Sequence, residues 1–174
     1  MGTKLPLYGY IEPTTTMPSK RKRSENVKLV SRFLEHLSRP SVQHYGLDMI
    51  LEGFHLGVDP WTCGVHLEMN SATRPTLEQL IDRIGSNGTI VIPTVDDFRE
   101  VKTEKSVDLV ERILVQKITV LAVGHEEFPL DHFVNEIHPD AAVFHAMSTN
   151  VLKVRSTLER FVQNRDNMKF DPVD

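Results

Sequence analysis

Between residues 61 and 93 the hydrophobic period changes twice within a short span, and this restricts the fold more than any other feature of the chain. Trp61 to Met69 alternates, with Cys63, Val65, Leu67 and Met69 on one side and Thr62, Gly64, His66 and Glu68 on the other. That is the pattern of a strand with one covered face. From Thr76 the period lengthens. Leu77, Leu80, Ile81 and Ile84 fall at i, i+3, i+4 and i+7, the apolar stripe of a helix. Thr76 and Gln79 have capping-box spacing, and Gly85 is placed to end the helix. Asn87-Gly88 turns the chain into Thr89-Ile90-Val91-Ile92, a short strand stopped by Pro93. A pure helical bundle and a pure β-sandwich are both excluded.

The flanking segments extend this mixture. Ser24 caps a helix from Glu25 whose Val27, Val30, Leu34 and Leu37 share a face, closed by Pro40. Gly46 to Gly57 is apolar and glycine-rich, and fits a strand or short hairpin. Residues 106–115 read as a helix with Val107, Val110, Ile113 and Leu114 inward, followed by a strand from Lys117 to Val123. Gln116 is a short joint between them, so two strands of a meander are the alternative for residues 106–123. Leu130, Phe133, Val134 and Ile137 form another helical stripe, Ala141 to Met147 a strand, and Asn150 the cap of a last helix carrying Val151, Val154, Leu158, Phe161 and Val162 inside. The expected class is α+β: one compact domain over residues 25–164 with a mixed sheet and packed helices, a flexible basic arm over residues 1–24, and a polar tail over 165–174. The alternative is α/β, with a parallel sheet in residues 89–164.

At 174 residues and 40% hydrophobic content the chain is long enough to bury a substantial core. No apolar run reaches the length of a bilayer span, and no apolar segment near Met1 resembles a secretory signal, so an intracellular location is expected. The single Cys63 has no disulfide partner within the chain and reads as inert core, while Trp61, after the Asp59-Pro60 turn, anchors a strand. The formal charge of −4 conceals a contrast. Residues 1–26 carry Lys4, Lys20, Arg21, Lys22 and Arg23 against Glu12 and Glu25, a surplus of three positive charges that leaves −7 on the remainder. The Lys20-Arg21-Lys22-Arg23 run is a cluster of the type read by import receptors, nucleic acid or anionic headgroups. Ahead of it, Tyr8 and Tyr10 lie in a proline-flanked apolar stretch that either anchors in a partner's groove or packs back on its own domain.

Two kinds of chemistry are raised by residue type. His125, His132, His138 and His145 recur at intervals of seven, six and seven, none of them the i+3 or i+4 spacing of helical ligands; His132 and His138 differ by about 240° around a helix, and no second cysteine joins them. No metal and no cofactor are therefore expected. An enzyme reading places Asp96 and Asp97, His125 and Glu126, and Ser148, Thr149 and Asn150 at the carboxyl ends of three parallel strands. There the two aspartates would hold a divalent cation, His125 would act as general base, and the helix from Asn150 would receive a phosphate. Against it, the chain has no Gly-x-Gly-x-x-Gly, no Walker lysine and no Gly-x-Ser-x-Gly.

The layout resembles a small matrix protein of a negative-strand RNA virus, of the rhabdovirus kind. A proline-containing N-terminal stretch with tyrosines and lysines precedes a core in which Val65-His66-Leu67-Glu68-Met69 runs through Arg74-Pro75 into a helix, and the local likeness covers residues 62–85. The resemblance implies a non-enzymatic assembly protein that self-associates, condenses a nucleoprotein and meets the inner membrane face through Lys20 to Arg23. Such proteins tend to be basic, whereas this domain is net acidic, and Leu7-Tyr8-Gly9-Tyr10 stands where a Pro-Pro-x-Tyr motif would be. Three functions thus stand beside one another: assembly on an anionic partner, a phosphate- or nucleotide-handling enzyme, and a nuclear adaptor using residues 20–23 as an import signal.

Overall fold

The computed structural model describes residues 7–13, 23–37, 64–86, 88–99, 102–124, 130 and 141–170. The elements are β1 (Leu7–Ile11), α1 (Arg23–Leu37), β2 (Val65–Leu67), α2 (Pro75–Ile84), β3 (Thr89–Ile92), α3 (Asp96–Arg99), α4 (Glu104–Val115), β4 (Thr119–Ala122) and α5 (Ala141–Gln163), followed by a 3-10 turn over Arg165–Asn167. The four strands form one sheet in the order β2-β1-β3-β4, and each neighbouring pair is parallel. The mixed class is as expected, and the pairing is that of the parallel alternative, begun at β1 rather than at residue 89. Because the chain moves outward from β1 to β2 and then returns to β3 on the other side, the order reverses between β1 and β3. That is the topology of a doubly wound sheet.

Each face of the sheet is covered. Ile11, Val91 and Leu121 point to one side and pack with Val30, Phe33 and Leu34 of α1. Tyr8, Tyr10, Ile90, Ile92 and Val120 point to the other and pack against α2 and α4. Burial on both faces explains why β3 and β4 read as continuous apolar runs rather than alternating ones. Helix α5 crosses the β4 edge. Met147 and Val151 join the first layer, whereas Val154, Leu158 and Phe161 join the second.

Residues 7–11 correct the expected arm. Tyr8, Tyr10 and Ile11 are buried in the sheet, so neither tyrosine is a surface anchor. Flanking prolines and a run of only five residues disguised an interior strand as a tail. Gly9 is required there, since a Cβ would stand 2.8 Å from Val30 Cγ1 and 3.1 Å from both Leu34 and Val65.

Other expectations change for local reasons. Ala141 to Met147 is the start of α5, not a strand, and Asn150 lies inside that helix, not at its cap. A helix that covers two layers in turn lacks one unbroken stripe, which is why its first half resembled a strand. The meander alternative for residues 106–123 does not form. Lys117 adopts a left-handed φ of 58°, and its amide and that of Ile118 bond back to Leu114 and Ile113, so the three residues Gln116, Lys117 and Ile118 suffice between α4 and β4. At the end of β2 and just past it, Leu67 (45% exposed) and Met69 (78%) face outward while Glu68 is buried, the reverse of the facing expected for these three residues, whereas Val65 packs on the core as expected. The capping box at Thr76 is also absent, because Arg74 holds the N-cap position with φ 48° and no side-chain cap. The Gly46–Gly57 segment, Trp61, Cys63 and the Phe133–Ile137 stripe lie outside the described residues.

Candidate functional site

Two polar assemblies sit at the carboxyl end of the sheet, where doubly wound folds place ligands. The first is buried and begins with Glu68, just past β2. Its Oε2 accepts the amide N–H of Met69 (2.9 Å) and of Thr76 (3.2 Å), and its Oε1 accepts that of Leu77 (3.1 Å). The first amides of a helix lack intrahelical acceptors and carry partial positive charge, so Glu68 caps α2 from across a loop. Asn70 fixes that loop by accepting the amides of Ala72 (2.9 Å) and Thr73 (3.2 Å). The Thr103 hydroxyl donates to the Ala72 carbonyl (2.6 Å) and accepts the Ser106 amide (3.1 Å), which joins the loop to the start of α4.

The loop delivers Arg74 into the interior, fully buried, with its guanidinium 5.4 Å from the Phe98 ring centroid. Arg74 Nε is 2.8 Å from Glu12 Oε1, beyond the end of β1. The Tyr10 hydroxyl lies between the two carboxyl groups, 3.0 Å from Glu12 Oε1 and 2.9 Å from Glu68 Oε1. Burial pushes the Glu12 carboxyl above the usual carboxylate range, with Glu68 adding to the rise, while Arg74 and the Tyr10 hydrogen bond oppose it. Burial and the Glu12 charge likewise raise the Tyr10 phenol. Arg23 Nη2 donates to the Glu68 carbonyl (2.7 Å), tying the start of α1 to the same cluster.

The second assembly is open. A cleft of about 770 Å³ beyond β3 is lined by Asp96, Arg99, Lys102, Thr157, Arg160, Phe161 and Asn164. The Thr94 hydroxyl accepts the Asp96 amide (3.3 Å), starting the single turn of α3, and Arg99 pairs with Asp96 one turn on. Phe161, only 8% exposed, forms an apolar floor rooted in the core. Three cationic side chains thus face one carboxylate among the described lining residues, on a domain that is acidic overall.

Of the expected site residues, Asp96 lines this cleft, and Asp97 lies in α3 with its side chain outside the described set. His125, Glu126, Lys20, Arg21 and Lys22 lie outside the described residues. Ser148 and Thr149 are half-buried on α5 rather than at a strand end. Asn150 is buried, and its Nδ2 donates to the Ala122 carbonyl (2.8 Å) while its Oδ1 accepts the Ala122 amide (3.0 Å). Its carboxamide stands in for a neighbouring strand on the outer edge of β4, which removes it from any phosphate site. Arg99, Lys102 and Arg160 escaped the sequence reading because exposed basic residues on helices and loops carry no motif. Glu12, Glu68 and Arg74 escaped because charged residues are expected at the surface.

Among the described residues no group of three or more His, Cys, Asp and Glu side chains is arranged to hold a metal ion, and no helix is long and apolar enough to cross a membrane. Fold and site together define a doubly wound parallel α/β domain with a cationic cleft at its carboxyl end. No family model matches the chain, and no curated protein matches it in sequence.

Proposed function

We propose that the chain binds a phosphate-bearing ligand of nucleotide size in the cleft of Arg99, Lys102 and Arg160. The observation that carries this reading is the convergence of three cations on a concave surface at the carboxyl end of a doubly wound sheet. Its volume lies within the roughly 300–1,000 Å³ typical of small-molecule sites. Guanidinium groups suit phosphate oxygens, which they engage through paired N–H donors. This moves the phosphate-handling function expected at Asp96, His125 and Asn150 onto a different set of side chains. The only carboxylate among the described lining residues, Asp96, is engaged by Arg99, so the lining supports binding rather than a reaction.

Isothermal titration with ATP and with inorganic pyrophosphate at low salt tests the reading. Binding that weakens with salt and falls at least tenfold in an Arg99→Ala/Arg160→Ala double variant supports it, since each charge-assisted hydrogen bond contributes about 1.5–3 kcal/mol. Undiminished binding by the double variant, or no binding by the native chain, overturns it. Loss confined to a Lys20→Ala/Arg21→Ala/Lys22→Ala variant would instead place the anionic partner on the basic run, as the assembly reading requires.

A further inference from the structure

We infer that the buried cluster at the carboxyl ends of β1 and β2 is a proton-binding site, holding one hydrogen at neutral pH on the Glu12 carboxyl beside the Tyr10 hydroxyl. Counting hydrogens leads there first. The Tyr10 oxygen is within hydrogen-bond distance of Glu12 Oε1 (3.0 Å) and of Glu68 Oε1 (2.9 Å), yet a phenol has one hydrogen to donate. The second oxygen–oxygen contact is attractive only when the carboxyl group itself supplies a hydrogen. Glu68 is the poorer candidate, because backbone N–H donors already occupy both of its oxygens. The hydrogen therefore belongs to Glu12.

Counting charges gives the same answer. The groups facing Glu12 are Tyr10 on β1, Glu68 after β2, Ser71 in the loop and Arg74 at the start of α2, and the Phe98 ring of α3 packs against Tyr10 and Arg74. Among the buried side chains, the Arg74 guanidinium thus stands against two carboxyl groups, Glu12 being only 4% exposed, while the half-buried Arg23 of α1 directs its Nη2 to the main-chain carbonyl of Glu68 and not to either carboxyl group. A second uncompensated negative charge in such a place is costly, whereas one bound hydrogen makes the cluster neutral. Glu12 Oε2 points the same way: it is buried without a well-aligned hydrogen-bond partner among the described residues, and the Ser71 hydroxyl nearby offsets only part of the rise that burial causes. A neutral carboxyl tolerates that position far better than an ionised one.

The sign of the linkage follows. The folded chain retains on Glu12 a proton that the unfolded chain releases, so the stabilisation is complete below the ordinary glutamate range and is lost as pH rises through the raised folded value. The experiment is infrared spectroscopy of the native protein near pH 7 beside its Glu12→Gln variant, with the proton released on unfolding measured in weak buffer. The native chain should show the carbonyl band of a protonated carboxylic acid and release about one proton more than Glu12→Gln, which carries its hydrogens permanently. The variant should lack the band, and its unfolding midpoint should fall less as pH rises above the ordinary glutamate range. Absence of the band from the folded native protein overturns the inference, as does persistence of the band in the variant. If Glu12→Gln does not fold, the native spectrum alone decides.

Discussion

Glu68 supplies to α2 what a serine or aspartate supplies at the N-cap of most helices, and does so from outside the helix. The position where such a residue would normally sit is occupied by Arg74, whose left-handed backbone turns its side chain into the interior. Glu68→Ala removes the acceptor for the Thr76 and Leu77 amides and one partner of Tyr10. A loss beyond the roughly 1 kcal/mol typical of a cap is expected, read as a lower urea midpoint with unchanged slope. Glu68→Gln should recover only part of it, since one amide oxygen replaces two. At Gly9 the constraint is steric. Gly9→Ala forces the Val30 and Leu34 side chains away from β1, and an overpacking penalty of about 1–3 kcal/mol should appear in the same measurement. Neither glutamate was legible as interior in the sequence. A carboxylate is placed inside only by partners distant along the chain, and no local pattern announces them. Val65-His66-Leu67-Glu68 alternates well enough to point Glu68 outward, and the capping requirement of α2 overrules that alternation.

At the level of elements, legibility tracks how many neighbours decide the outcome. Helix α2 was readable along its length and at its C-terminal end because its stripe, its Gly85 stop and its single packing face agree, whereas its N-terminal cap was not. Helix α4 and strand β4 were readable except for the joint, where Gln116 also reaches back to accept a role in α2 by donating its amide to the Ile81 carbonyl (3.3 Å). Helix α5 was misread in its first half because two layers and a sheet edge share it. Asn150 makes that sharing stable, since a strand edge left bare under a helix would hold an unsatisfied amide and carbonyl. Asn150→Leu, which keeps the volume and loses both hydrogen bonds, should cost about 2–4 kcal/mol, with hydrogen exchange at Ala122 accelerated more than at Val91 in the interior. Equal acceleration at both amides would contradict a local role for the carboxamide.

For the whole molecule, the charge asymmetry seen in the sequence is redistributed. Part of the segment that appeared to be a solvated arm supplies the second strand of the sheet, and the cationic surface that the described residues present lies beyond β3. The site was partly legible, since Asp96 was singled out for its place after a strand, but its basic companions come from two helices and a loop that only tertiary packing brings together. Removing residues 1–11 should abolish cooperative thermal unfolding altogether, because β2 and β3 both pair with β1 and lose their common neighbour. A truncated chain that still melts in one transition near the native midpoint would contradict that pairing.

The central position of β1 has a consequence for synthesis. β1 leaves the ribosome ahead of both strands that flank it, and it waits through more than fifty residues for β2 and still longer for β3. During that wait its Tyr8-Gly9-Tyr10-Ile11 stretch is an exposed apolar strand with two open edges. Nascent-chain folding is thus gated by the emergence of residue 92, and a pause before that point prolongs the interval in which a chaperone, or another nascent copy, competes for the strand.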